Sequence, residues 1–443
     1  MKSNLKQIVC IILFVVMGLC AASAAEGARP QLARPMRAQI AWQDMEIGMF
    51  IHWVPEMWQH DTSADTATLL RQIDPSRVNT DQWVEVAAAM GARYIVFVAR
   101  HVDGFCWWPT ATTDYSIAHI AWRGGKGDIL RDLSESCRKR GIKLGVYLNG
   151  ADRHKVGYVN DGGRCHSPEE QQAYDKYYRA QLTELLSRYG KISEVWFDGG
   201  LQIEIGDILR KYARNAMIFQ GKYATIRWVG NEEGFAPDPA WNAVPGAAAR
   251  TGVSTAKDGD PNGSIWLPLE CDATIRREWG WVPGPENTLK TVDELVEMYY
   301  RSVGHGANLL LNIAPEPNGQ ITAADAQRAA EFGPEIRRRF GRSLAETVGS
   351  GKIVELSLDR PTTIDHVITM EDITDGERVR EYTIERWDAG RWEEIYRGSS
   401  IGHKKIDRFR PVEVTRIRFR CLSSVAPPKI RRFAVFHAGQ GPG

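Results

Sequence analysis

The chain has 443 residues, 43% hydrophobic and 25% charged, an ordinary globular composition with material for a large core and two domains. Its formal net charge is +1, and no block of Lys and Arg is long enough to act as a nucleic-acid tail, so the balance argues for neither a polyanionic nor an acidic partner. Fifteen Trp against 13 Phe is an unusual aromatic mix, and Trp offers flat amphipathic faces that suit sugar rings as well as core packing.

The chain opens with Lys2 and Lys6, an apolar run from Ile8 to Cys20, and the small-x-small site Ala22-Ser23-Ala24. This pattern predicts a secretory signal peptide over residues 1–24, cleaved after Ala24. The run is too short for a comfortable membrane span, and Leu19 stands where a lipoprotein signal needs a small residue before Cys20. The expected product is therefore exported, periplasmic or extracellular, and not membrane-spanning. Removing Cys10 and Cys20 takes the seven cysteines to five, scattered and without CxxC spacing, which is neither a disulfide framework nor a zinc site.

From Glu46 to Pro315, apolar segments alternate with helical patterns. The strand candidates are EIGMFIHW (46–53), RYIVFVAR (93–100), IKLGVYLN (142–149), SEVWFD (193–198), NAMIFQ (215–220), TIRWVG (225–230), SIWLPLE (264–270) and ANLLLNIAP (307–315). Amphipathic helices are expected over Asp81–Met90, Asp128–Arg140, Glu169–Tyr189 and Val292–Val303. Eight strand–helix alternations predict an α/β fold, a (β/α)8 TIM-like barrel over residues 25–344. One helix is missing, because no room exists for it between Gln220 and Thr225. After Leu344 the segments KIVELSLD, VREYTIERW, RWEEIYRG, VTRIRFRC and KIRRFAVFH alternate with period two between turn-rich pieces. That predicts an antiparallel β-sandwich over residues 345–443, an accessory domain of the F5/8 type C kind.

In a parallel barrel, catalytic groups sit at the C-terminal ends of the strands. Read there, the chain supplies His52-Trp53, Arg100-His101-Val102-Asp103, Asn149 with Asp152-Arg153-His154, Asp198, Asn231-Glu232-Glu233, Glu270 with Asp272, and Asn312. Two carboxylates, histidines and tryptophans around one cavity suit glycoside hydrolysis, in which one acid attacks the anomeric carbon and another protonates the leaving oxygen. Asp198, at the tip of a stiff apolar strand and followed by two glycines, is the natural nucleophile; Glu232 suits the acid/base role, with Glu233 and Glu270 as its runners-up. The bland readings are a helix-capping Asp198, solvated glutamates, and core histidines satisfied by backbone.

The runs MFIHW, ARHVDGFCWWPTATTDYSI, GIKLGVYLNGADRH, YGKISEVWFDGG, IRWVGNEEG, WLPLECDATIR and GANLLLNIAPEPNGQI resemble the signature segments of glycoside hydrolase family 29, the α-L-fucosidases. They follow in the family's order across residues 42–340, and VELSLDRPTTIDHVITMEDI with APPKIRRFAVF is similar to its appended β-sandwich. The GNE-x-G and ECD-x-x-IR segments look like the branch that cleaves α-1,3/1,4-linked fucose from branched, Lewis-type glycans.

The resemblance implies an exo-acting retaining enzyme, with Asp198 as nucleophile and Glu232 as acid/base. It implies fucose contacts from His52 and His101 and a pocket wall from Trp196. Arg100 and Glu270 at the same rim join the expected substrate contacts. Two departures stand out. Val102 replaces the second of two adjacent histidines that many members carry, and Trp53-Val54-Pro55 replaces the usual glycine-containing turn, which brings Glu56 and Trp58 forward as replacement contacts. The chemistry requires no metal or organic cofactor, and the expected partner is a fucosylated oligosaccharide or glycoconjugate, not nucleic acid. The rivals are a glycosidase of this fold acting on another sugar such as galactose, and an inactive glycan-binding protein.

Overall fold

Short apolar segments, buried on both faces, build the first layer. The computed structural model describes residues 32–58, 65–155, 159–160, 162–284 and 287–439, so the expected signal segment lies outside the described residues. Its barrel strands are β1 (Ile47–Ile51), β2 (Tyr94–Arg100), β3 (Lys143–Leu148), β4 (Ile192–Trp196), β5 (Met217–Phe219), β6 (Arg227–Trp228), β9 (Leu269–Thr274) and β10 (Asn308–Asn312), with β7 (Ala243–Val244) and β8 (Ile265–Trp266) forming a separate two-stranded ribbon. The eight run parallel in the order β5-β4-β3-β2-β1-β10-β9-β6, and one parallel bridge, Phe219 to Ile226, brings the two edges together. The expected barrel, with no helix between β5 and β6, is the observed one.

The strands are apolar on both faces because each face packs on something. Phe50, Tyr94, Val96, Val98, Tyr147, Trp196, Phe219 and Leu310 fill the barrel interior, while Ile95, Phe97 and Val195 pack outward in the core that holds the helices. The helices start where side chains satisfy their free N–H groups. Asn79 accepts from Gln82 N, Asp128 from Arg131 N, and Ser167 and Thr291 close capping boxes with Glu170 and Glu294. The helices they open run Thr80–Met90, Ile129–Arg140, Pro168–Arg188 and Val292–Arg301, within two residues of the sequence expectation at each end.

The seventh strand departs from expectation. SIWLPLE splits at Pro268: Ile265–Trp266 pairs antiparallel with Ala243–Val244, and the barrel strand is Leu269–Thr274. Proline has no N–H for a ladder, so the apolar run divides there. Glu270 and Asp272 consequently lie inside a strand and not on a loop beyond it.

The C-terminal part is one six-stranded antiparallel sheet, ordered β11 (Ala345–Ser350), β16 (Lys429–Phe436), β12 (Ile353–Glu371), β15 (Lys405–Ser424), β13 (Val379–Asp388), β14 (Arg391–Gly398). β12 and β15 are far longer than their alternating patterns. Pro361 and Pro411 interrupt those patterns, and both fall where the β12–β15 ladder shifts register, between Ser357 and Thr362 and between Ile364 and His366. Val354, Ile364, Tyr382, Ile417, Phe419 and Phe433 form the core of this part.

Polar links tie the sheet to the barrel: Lys404 Nζ and Tyr299 OH both donate to Glu46 at 2.7 Å, Lys405 meets Asp238 at 2.6 Å, and Tyr300 OH meets His366 Nε2 at 2.8 Å. Cys106, Cys137, Cys165, Cys271 and Cys421 are free, and no helix among the described residues is long and apolar enough to cross a membrane.

Candidate active site

A cavity of about 470 Å³ opens at the C-terminal ends of the barrel strands, a size suited to small ligands. Its lining includes Phe50, His52, Glu56, His101, Tyr147, Trp196 and Asp198 from the β1–β4 side, and Gln220, Trp228, Glu232, Thr255, Asp272 and Trp279 from the other. Phe50, His52, Tyr147 and Trp196 are under a tenth exposed, whereas Asp198 and Glu232 are open to the cavity.

Asp198 sits just past β4. Gly199 and Gly200 follow it with φ of 75° and 77°, a left-handed exit that other residues rarely adopt. A Cβ at Gly200 would lie 2.5 Å from Val253 Cγ1, so the turn also needs the small residue for packing. The next helix begins at Gly206 with Ile205 at its N-cap, so Asp198 is not the cap of that helix. Instead Tyr147 OH donates to its Oδ2 at 3.1 Å, and Asn149 Nδ2 donates to that hydroxyl at 2.6 Å. The aspartate is aimed from a fixed strand end by a tyrosine that is itself held.

Glu232 lines the cavity and accepts from Trp279 Nε1 at 2.9 Å. Its neighbour Glu233 pairs in a short bridge with Ala273 and does not line the cavity. Glu270 lies below, inside the barrel: Tyr94 OH donates to its Oε1 at 2.7 Å and Trp196 Nε1 to its Oε2 at 2.9 Å. It supports the Trp196 wall from behind and does not reach the cavity as a contact or an acid.

His52 Nδ1 is 2.9 Å from Asn312 Oδ1, which also accepts the His52 N–H, while Asn312 Nδ2 donates to Trp279 O. An acceptor-only oxygen fixes the proton on Nδ1 and leaves Nε2 free to accept from a ligand hydroxyl. Burial, reinforced by neighbouring His101, lowers the His52 pKa to about 3; burial and then Arg153 lower that of His101 to about 4. Both rings are thus neutral at pH 7, 6.0 Å apart at their centroids.

Glu56, His101 and Asp103 bring one donor atom each within 4.8 Å of one another, the one grouping of metal-ligand spacing among the described residues. Burial pushes the Glu56 carboxyl up, and burial followed by the Glu56 charge pushes Asp103 up.

Arg100 and Trp58 stand away from the cavity lining. The Arg100 guanidinium is fully buried and donates to Asp152 Oδ2 at 3.1 Å, Gln181 Oε1 at 2.8 Å and the carbonyl of Asn149, locking the β2 end to the β3 loop. Trp58 packs edge-on against Trp53, which stacks on Trp107 at 4.4 Å. The structure thus spends Arg100 on a buried ion pair with Asp152 and packs Trp58 into an aromatic cluster, and neither lines the cavity as the expected substrate contacts would. Conversely, Tyr147, Gln220, Trp228 and Trp279 line the cavity without having been singled out. Tyr147 and Trp228 carried a sequence signal, the inward phase of their strands, and Gln220 ends the fifth strand candidate. Asp272, on the same inward phase as Glu270, accepts from Trp228 Nε1 at 2.6 Å, and burial raises its pKa well above the usual carboxylate range.

The Alpha-L-fucosidase family profile matches residues 56–336. Alpha-L-fucosidase 1 of Arabidopsis thaliana is 29% identical over 437 residues, 87% of this chain and 84% of that protein. A solved Bacteroides thetaiotaomicron protein assigned to the alpha-L-fucosidases superposes with a TM-score of 0.82 at 33% identity, over 91% of this chain and 99% of that one. A Ruminococcus gnavus GH29 fucosidase solved with fucose shares the fold, with a TM-score of 0.80 at 24% identity over 94% of this chain and 97% of that one.

Proposed function

This chain belongs to the alpha-L-fucosidase family, glycoside hydrolase family 29, and from that premise we propose that it releases terminal L-fucose with retention of configuration, Asp198 acting as nucleophile and Glu232 as acid/base. The observation that carries this reading is that these two carboxyls, and neither Glu233 nor Glu270, line the same cavity, exposed to it where Asp272 is buried. Its β1–β4 end is closed by buried aromatic and histidine side chains, which favours a terminal sugar over an internal one.

In the first step an Asp198 oxygen forms a bond to C1 as the bond from C1 to the glycosidic oxygen breaks, and Glu232 gives its proton to that departing oxygen. In the second, Glu232 takes a proton from water, the water oxygen bonds to C1, and the ester to Asp198 breaks with its electron pair returning to the carboxylate. Neutral His52 accepts a fucose hydroxyl at Nε2, His101 meets a second, and Glu56, beside His101, stands in for the histidine that Val102 replaces. Trp196 presents the apolar wall.

The linkage preferred is α-1,3/1,4 on branched glycans, a reading that rests on the GNE-x-G and ECD-x-x-IR segments. The chain is exported, with cleavage after Ala24, as its basic start, short apolar run and small-x-small site support. Residues 345–443 act as a brace on the barrel, a role that the Lys404–Glu46 and Lys405–Asp238 pairs, each with its lysine buried, favour.

The test is fucose release from a Lewis-type trisaccharide and from an α-1,2-fucosylated one, with Asp198→Ala beside the wild type. Release from the branched substrate, lost in the variant, with α-fucose as the first anomer seen by NMR, is the expected result. β-Fucose first would replace retention by inversion, and no release from either substrate would favour another sugar such as galactose or a binding role. Release of a mature chain beginning at Ala25 checks export.

A further inference from the structure

Gln220 follows β5 at the edge of the cavity. Its φ is 58°, in the left-handed region that a residue with a long side chain seldom adopts, and it is only 6% exposed. Its Oε1 is buried without a hydrogen-bond partner. A buried carboxamide oxygen left unpaired is costly, and a strained backbone beside a ligand cavity persists where a function holds it there. Glycine would satisfy that backbone at no cost; glutamine adds a carboxamide that both accepts and donates, which is what one sugar hydroxyl requires.

Its place in the barrel says which sugar. Phe50, His52, His101 and Tyr147, the closed end, come from β1 to β3 and their loops, and Asp198 follows β4. Gln220 rises from the next strand, past Asp198, on the side of β6 and the loop that carries Glu232. The segment that ends in exposed Val253 is fastened there as well: Gly221 N donates to Gly252 O at 2.8 Å. A group that protonates the glycosidic oxygen faces the leaving sugar, so its neighbours on that side face it too.

We propose that the Gln220 carboxamide holds a hydroxyl of the sugar to which fucose is attached, making Gln220 a determinant of leaving-group preference. The inference rests on the fucosidase reading above. Removing one such hydrogen bond is felt in the discrimination between leaving groups more than in the handling of fucose.

The experiment compares kcat/KM on an aryl α-L-fucoside, whose leaving group has no sugar hydroxyls, with that on a fucosylated trisaccharide, for wild type, Gln220→Gly and Gln220→Asn. Glycine tolerates the left-handed φ, so Gln220→Gly removes the carboxamide without straining the turn. The expected result is a fall of about tenfold in the trisaccharide-to-aryl ratio for Gln220→Gly, carried by KM, with Gln220→Asn between it and the wild type. A ratio that stays constant, whether both activities fall together or neither moves, overturns the proposal alone. A wild type that releases fucose from neither substrate overturns the fucosidase reading, and this inference with it.

Discussion

The indole N–H of Trp196 donates to Oε2 of Glu270 at 2.9 Å in the barrel interior. On one side of that contact Trp196 stacks on Phe219 at 3.5 Å and lines the cavity beside Asp198. On the other, the Glu270 carboxyl lies beside that of Glu194, whose Oε2 accepts from Trp42 Nε1 at 2.8 Å and whose Oε1 is buried without a hydrogen-bond partner. Burial raises the pKa of both acids, and the charge of Glu270 adds to the rise at Glu194. The wall of the sugar pocket thus hangs on a buried carboxyl pair contributed by β4 and β9.

Glu270→Ala strands two buried donors and the Glu194 carboxyl, and is expected to cost roughly 3–5 kcal/mol, as removal of one member of a buried polar pair does. Glu270→Gln keeps the volume and one acceptor and should cost less than half of that. Urea unfolding of the two variants checks the order; equal costs would mean that volume and not polarity matters there.

Glu232→Gln should lower kcat on a fucosylated trisaccharide by about 10²–10⁴, the range of general acid catalysis, and much less on an aryl fucoside whose leaving group departs unaided. Glu233→Gln should leave the dependence on leaving group as in the wild type, since Glu233 does not line the cavity. Steady-state kinetics on both substrates decide between the adjacent glutamates.

Because His52 and His101 are held neutral down to about pH 3 and 4, neither should produce an acid limb in kcat/KM between pH 8 and 5. Asn312→Asp places a carboxylate against His52 Nδ1, favours imidazolium and removes the lone pair on Nε2. The variant is expected to lose activity as pH falls through the raised His52 pKa. A profile unchanged from the wild type would take His52 out of sugar binding.

Glu371, fully buried at the end of β12, has its pKa raised from 4.5 to about 8 by burial and then by the charge of Glu377. The folded state therefore holds this proton more tightly than the unfolded chain. Its contribution to stability is complete below about pH 4.5 and is lost as pH rises to about 8, amounting to a few kcal/mol at most. Glu371→Gln should flatten the fall in Tm across that window, measured by thermal melts at several pH values. A parallel fall in both proteins would assign the pH dependence to other groups.

The barrel was legible because its strands are buried on both faces and its helices carry their caps in the sequence: Asn79, Asp128, Ser167 and Thr291 mark the starts that the structure uses. Where reading failed, a proline stood inside a continuous segment. Pro268 divides one apolar run between a ribbon and the barrel, whereas Pro361 and Pro411 are absorbed at register shifts inside single long strands. A proline removes one donor in all three cases, and only the neighbouring strands decide whether the chain ends there or bulges.

Sequence by itself determined the architecture, the family signature and the rim on which polar groups collect, since these follow from local pattern and from the rule that strand ends carry chemistry. Tertiary structure decided which members of that rim share a cavity. Arg100 sits next to His101 in the chain, yet it is spent on Asp152, whereas Trp279, with no local signal, closes on Glu232, and Gln220, the last residue of the fifth strand candidate, lines the pocket. Glu270 read as a loop acid and became the support behind Trp196. A side chain's role here depends on what faces it across the barrel, and those partners lie far apart in the chain, Tyr94 and Glu270 by 176 residues and His52 and Asn312 by 260.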